Sequence, residues 1–82
     1  MSLESRYIET LRSLVRINEG QIAWRTGQLE AIKEARQELR QRPVSTVVYY
    51  GLSLAEEEFS SHITSLQKKN KELLREIHLT QE

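Results

Sequence analysis

The 82-residue sequence contains no cysteine. Neither a disulfide framework nor a thiolate metal site can therefore stabilise its fold, and cysteine usage leaves the redox compartment undecided. All twelve acidic residues are glutamate, so aspartate is absent as well. Aspartate competes for backbone hydrogen bonds and favours turns, whereas glutamate favours helix interiors. This bias predicts helices rather than turns or metal-binding loops.

Long apolar runs and an excess of one charge are also missing. The longest uninterrupted apolar run covers residues 47–50, and the first six residues lack a basic segment followed by an apolar one. We therefore expect neither a signal peptide nor a membrane-spanning helix, with a cytoplasmic location as the default. Twelve basic residues balance the twelve acidic ones. This balance argues against a dedicated nucleic-acid binder, because affinity for phosphates depends on surplus cations.

The single proline divides the sequence into two helical segments. Residues 3–41 predict one long helix, which Pro43 should end because proline disfavours helical geometry in the residue before it. Ser53 and Glu56 have the spacing of a capping box, which predicts a second helix over about residues 53–79. The connection, residues 42–52, has two interpretations. Its β-branched and aromatic residues favour a short extended arm, or Ser45 caps a second helix that begins directly after the proline.

Both helices carry heptad repeats of the kind found in coiled coils. In the second helix, the a positions are Ile63, Asn70 and Ile77, and the d positions are Phe59, Leu66 and Leu73. In the first helix, the a positions are Ile8, Val15, Ile22 and Leu29, and the d positions are Leu11, Asn18, Arg25, Ile32 and Leu39. We predict an all-α fold with one domain over residues 1–82: two long helices in an antiparallel coiled-coil hairpin, which assembles into a helical bundle.

Two antiparallel registers fit these seams. One places Asn70 opposite Arg25, leaves the start of the first helix unpaired and needs the extended arm. The other places Asn70 opposite Asn18, leaves no overhang and needs a tight turn at Pro43. A buried asparagine pair is a known device for fixing register, whereas a buried arginine needs a counter-charge or a route to water. The comparison favours the Asn18–Asn70 layer, and we predict Asn18, Arg25 and Asn70 as register-setting residues.

The first helix has more apolar surface than one hairpin seam can bury. Position c holds Leu3, Ile17, Trp24 and Ala31, beside small residues at f, which are Ser13, Gly20 and Gly27. Each glycine costs about 1 kcal/mol relative to alanine in a helix interior, and close approach of another helix would compensate. Tryptophan is enriched among interface hot spots. We predict a partner-binding surface formed by Tyr7, Leu14, Ile17, Gly20, Trp24, Gly27, Ala31, Tyr49 and Tyr50.

The residues that could carry chemistry do not form a recognisable site. Glu58 and His62 have an i, i+4 spacing that offers two metal ligands, but zinc normally takes three or four from protein. His62 and His78 lie too far apart on one helix to share an ion. The three glycines are isolated, so no phosphate-binding loop is present. We expect no catalytic, cofactor-binding or metal site, and no enzyme.

Residues 23–32, Ala-Trp-Arg-Thr-Gly-Gln-Leu-Glu-Ala-Ile, resemble the opening helix of some aldehyde dehydrogenases. The resemblance covers ten of the 82 residues and includes none of that family's catalytic or cofactor residues. The chain is also far too short for the fold of those enzymes. The resemblance therefore implies no activity, and the sequence assigns no family.

The leading functional hypothesis is a small non-catalytic protein–protein interaction module. It would act as a structural or adaptor subunit, either as a homodimer or by binding a helical partner chain. One alternative is a small chaperone for a single helical client. The other is a dimeric nucleic-acid-binding regulator that uses the arginine-rich first helix, although glutamates are interleaved among its basic residues and helix-surface pairing explains that pattern well.

Overall fold

The computed structural model describes residues 2–41 and 46–81, which form two long helices. Helix α1 spans Leu3–Leu39 and helix α2 spans Thr46–Gln81. Interhelix contacts pair Tyr7 near the start of α1 with Glu76 near the end of α2, and Arg36 with Glu56 at the opposite end. The two helices are therefore antiparallel and form a rod of 62 × 15 × 15 Å. The predicted all-α hairpin is confirmed.

The start of α1 is capped by a serine. Ser2 adopts an extended conformation, and its hydroxyl accepts a hydrogen bond from the backbone N–H of Ser5 at 3.2 Å. Capping of this kind satisfies one of the backbone donors that a helix leaves unpaired in its first turn. Glu4 adds an acidic side chain at the same end, where the helix dipole favours negative charge.

The second helix begins earlier than the capping-box spacing predicts. Residues 46–52 are helical, so the extended-arm interpretation is wrong for them, while Pro43 and Ser45 lie outside the described residues. Ser53 is not a cap: its hydroxyl donates to the carbonyl of Tyr49 at 3.1 Å inside the helix. The physical reason is tertiary. Tyr49 occupies an a position of the second helix, where its hydroxyl contacts Arg36 and Arg40 of α1. Those contacts outweigh the strand propensity of the segment.

The core of the hairpin is a narrow seam along the predicted a and d positions. Leu11, Val15 and Ile77 form a buried cluster, against which Ile8 and Leu73 pack. Leu29 is the remaining buried apolar side chain among the described residues. None of the described side chains is completely withdrawn from solvent, as expected when each of two helices can cover only one stripe of the other.

A polar layer crosses this seam at its middle. The side-chain amide of Asn18 donates to the side-chain oxygen of Asn70 at 2.8 Å, and the amide of Asn70 donates to the carbonyl of Val15 at 3.3 Å. Asn70 is 7% exposed. The structure therefore adopts the register that pairs Asn70 with Asn18, and the alternative register, with Asn70 opposite Arg25, is wrong.

Replacing both asparagines tests whether this layer sets the register. We expect Asn18→Leu/Asn70→Leu to raise the melting temperature, because a buried polar layer specifies register at some cost in stability. The same variant should populate a second register one heptad away, a slide of about 10 Å at 1.5 Å per residue. Spin labels on Ser13→Cys and Ser61→Cys, both exposed and staggered along the rod, report the slide by pulsed electron resonance in samples diluted with unlabelled chain.

A matched control adds the same two leucines outside the seam. Gln37→Leu/Gln67→Leu changes two exposed polar residues and should leave a single label-to-label distance. A single distance in the double-leucine seam variant as well would show that the turn and the apolar seam set the register without the asparagines.

Candidate functional site

One side of α1 is free of charge over most of its length. Between Arg6 and Glu34, every charged residue occupies a b or e position, with Arg25 at d as the one exception, so positions c, f and g carry none. All residues at these positions from Tyr7 to Ala31 are exposed. We call this surface the uncharged band; its members are Tyr7, Thr10, Ser13, Leu14, Ile17, Gly20, Gln21, Trp24, Gly27, Gln28 and Ala31. It extends over about 36 Å of helix.

The largest apolar side chains of the band are only partly used by the hairpin. Trp24 is 60% exposed and Ile17 is 56% exposed. Isolated exposed apolar residues are ordinary, whereas here several of them share one side of a helix with small and uncharged polar residues. The predicted partner-binding residues Tyr7, Leu14, Ile17, Gly20, Trp24, Gly27 and Ala31 all lie on this one surface.

Trp24 also touches the second helix, at one edge of the band. Its ring meets Phe59 edge to face, with 6.2 Å between centroids and an interplanar angle of 65°. The guanidinium carbon of Arg25 lies 5.8 Å from the Trp24 ring centroid and 5.7 Å from that of Phe59. An arginine in the seam is therefore held by two aromatic rings, an attraction worth about 0.5–2 kcal/mol depending on exposure. These contacts hold the indole in place while leaving most of its surface exposed.

A shallow groove opens where the band meets α2. Tyr7, Leu14 and Leu73 line it together with Lys69 and Glu76. The Tyr7 hydroxyl donates to the Glu76 carboxylate at 3.2 Å. Partial desolvation, followed by this hydrogen bond to a carboxylate, raises the pKa of Tyr7 above its ordinary value of 10.0.

The other two predicted tyrosines lie away from the band. Tyr49 is half-buried at the turn end of the seam, where Arg40 Nε and Arg36 Nη2 each donate to its hydroxyl at 3.3 Å. Tyr50 is 63% exposed, but its b position faces away from the uncharged band. Tyr49 is thus engaged within the hairpin, and neither tyrosine is part of the surface around Trp24.

Tyr49 belongs to a charged cluster that closes the turn end. Arg36 forms a salt bridge with Glu56, and its guanidinium carbon lies 5.3 Å from the Tyr49 ring centroid. The hydrogen bond from Arg40, and then that from Arg36, lower the pKa of Tyr49 below 10.0 because both cations favour the ionised phenol. The Tyr49 and Glu56 bonds raise the pKa of Arg36. Opposite charges on α1 and α2 thus meet in the Arg36–Glu56 pair.

The hairpin exposes more surface than its mass predicts for a folded monomer. Its accessible surface is 6485 Å² for 9.6 kDa. The scaling of surface with mass in monomeric proteins gives about 5,100 Å² at this size. The excess of about 1,400 Å² exceeds the roughly 800 Å² that each partner contributes to a standard protein interface. One interface of ordinary size would remove more than half of that excess.

Sequence reasoning missed the polar members of the band. Thr10, Gln21 and Gln28 fill the positions between the apolar side chains without adding charge. The signal that could have found them is the confinement of charge to positions b and e, which follows from the sequence once the heptads are assigned. Val48 on α2 is also a half-exposed apolar residue. It was not predicted as part of a surface because its segment could be assigned to a strand or a helix.

Two other kinds of site, a metal centre and a membrane-spanning helix, are absent from the described residues. Across residues 2–41 and 46–81, no three His, Cys, Asp or Glu side chains are grouped so that they could bind a metal ion. Neither helix, within its described residues, contains a stretch apolar enough to cross a membrane. Comparison with protein-family models, with curated proteins and with solved structures returned no match to this chain.

The opposite pKa shifts of two tyrosines give a spectroscopic test of the hairpin contacts. In an absorbance titration at 295 nm, we expect Tyr49→Phe to remove a component below pH 10 and Tyr7→Phe to remove one above it. Tyr7, with a raised pKa, contributes stability that is lost as pH rises through its folded pKa. Tyr49, with a lowered pKa, contributes stability that is lost as pH falls through its folded pKa. Urea-unfolded chain serves as the control, since both shifts should vanish there.

Proposed function

We propose that this chain is a non-catalytic protein–protein interaction module, and that the uncharged band of α1 is its binding surface. The observation that carries the proposal is the band itself, with an indole and other apolar side chains exposed along a rigid helix and no charge among them. Charge is depleted in the buried centre of protein interfaces, and tryptophan is among the residues most enriched there.

The charged side of α1 has a different composition and suits solvent. Its b and e positions carry both signs of charge, for example Arg12, Arg16, Glu19 and Glu30, and all four side chains are exposed. Mixed charges on one helix face pair with each other across neighbouring turns and remain hydrated. The hairpin thus offers one side to water and the other to a partner, which is the arrangement expected of a structural or adaptor subunit.

A small chaperone for one helical client would use the same surface. The uncharged band is long enough to accept another amphipathic helix by side-by-side packing. Loss of one stoichiometric co-purifying protein upon Trp24→Ala would favour this narrower role.

Site-specific photo-crosslinking tests the proposed surface. A benzophenone amino acid at Gln21, inside the band, should give a discrete protein adduct when the chain is irradiated in its native cells. The same group at Glu19, which is exposed on the charged side two residues away, should not. Ile17→Glu should abolish the adduct from position 21, because a charge in the centre of an apolar interface must be desolvated on binding.

Equal adduct yields from positions 19 and 21, or no protein adduct from position 21, would falsify the assignment of the band as the binding surface. Circular dichroism of each variant checks that the hairpin is intact, which we expect because both positions are exposed.

A further inference from the structure

Building on the proposed binding surface, we infer that the partner of the uncharged band is a second copy of this chain. The two α1 helices lie antiparallel around a two-fold axis beside Gly20, with Arg6 of each copy against Glu34 of the other. The four helices then form one assembly with the two α1 helices at its centre.

The charges at the two ends of the band are self-complementary in this arrangement. Arg6 and Glu34 are exposed, both lie at f positions, and each is separated from Gly20 by the same number of residues. A two-fold axis beside Gly20 therefore brings the cation of one helix to the anion of the other at both ends. Parallel helices in register would instead place Arg6 against Arg6 and Glu34 against Glu34, which is repulsive. The pattern thus favours a closed, isologous dimer.

The same axis pairs the band residues by size. At the c positions, Trp24 of one copy meets Ile17 of the other, so the two most exposed apolar side chains of the band cover each other. At the f positions, Gly20 meets Gly20 and Ser13 meets Gly27. A Cβ atom added at Gly20 or Gly27 would contact nothing within 4 Å in the hairpin, so packing inside the hairpin does not require glycine there. Small residues beside the axis allow the two helices to approach to about 8 Å.

The surface area agrees with a second copy as the occupant. Each chain exposes about 1,400 Å² beyond the expectation for a monomer of its mass, and an isologous interface removes equal areas from both copies. A contact of about 800 Å² per chain, the standard size, fits within that excess. The band, about 36 Å long at 1.5 Å per residue, is long enough to provide it.

Charge reversal at the two ends of the band tests both the partner and the direction. Sedimentation equilibrium of the purified chain should give twice the monomer mass of 9.6 kDa. Arg6→Glu and Glu34→Arg should each weaken dimerisation about tenfold, because each turns two attractive pairs per dimer into repulsive ones. The double variant Arg6→Glu/Glu34→Arg should recover wild-type affinity. An equimolar mixture of the two single variants should also recover it, by forming the mixed dimer.

Both substitutions are mild for the fold. A glutamate near the start of α1 and an arginine near its end each suit the helix dipole, so weakened association would not come from unfolding. The matched control reverses Arg12 and Glu19, which are exposed at e positions on the charged side of the same helix. Arg12→Glu and Glu19→Arg should each leave the dimer affinity unchanged.

A second pair of variants tests close approach at the axis. Gly20→Gln places a long side chain at the two-fold axis and should weaken dimerisation more than tenfold, since it forces the helices apart. Gly51→Gln is the control: Gly51 is also exposed and helical, and a Cβ there also contacts nothing within 4 Å. It lies on α2 and should leave dimerisation unaffected.

A purified chain that stays monomeric at millimolar concentration overturns the inference. A dimer whose affinity is unchanged by the end-charge reversals and by Gly20→Gln also overturns it. Neither outcome decides the proposed function. A monomeric chain whose position 21 still crosslinks to a different protein in native cells would keep the band as a binding surface and give it another occupant.

Discussion

The hydrogen bond between Asn18 and Asn70 joins two helices that otherwise share only a narrow apolar stripe. Asn70 is buried, and its amide group is satisfied on both sides, by the Asn18 side chain and by the Val15 carbonyl. A slide of one heptad would break these bonds and leave a buried amide unpaired, which costs about 1–3 kcal/mol. In a chain whose seam buries so few side chains, that penalty is large relative to the total stability.

Every other interhelix contact follows from this register. It brings Tyr7 to Glu76 at one end and Arg36 to Glu56 at the other, and it places Arg25 beside Phe59. The last of these resolves an unfavourable feature of the seam, because among the described residues no carboxylate forms a salt bridge with Arg25 at its d position. Two aromatic rings stabilise the charge instead, and Trp24 supplies one of them from the exposed band. The same indole therefore contributes to the hairpin and to the proposed interface.

The proposed function depends on the two sides of α1 being different. Between Arg6 and Glu34, all charges except that of Arg25 lie at b and e positions, while the exposed c, f and g positions carry apolar, small and uncharged polar residues. The hairpin uses this second surface only in part, through Trp24 and Tyr7, and leaves most of it exposed. In the proposed assembly the surface is buried against another helix, and the end charges Arg6 and Glu34 limit which helix directions it can accept.

The sequence by itself determined the two helices, their heptad positions, the polar residues in the seam and the charge-free side of α1, because helix periodicity places those residues on faces without reference to a partner. It favoured the Asn18–Asn70 register over the Arg25 register on general grounds, and it left the start of α2 open between Ser53 and a position directly after the proline. Only the tertiary structure decided these points. Local propensity in residues 47–50 favours a strand, but contacts of Tyr49 with Arg36 and Arg40 across the seam stabilise the helix. Heptad spacing repeats every seven residues in either register, so the repeat alone does not distinguish the two registers. Interactions between the helices, which no local pattern contains, select one of the two registers.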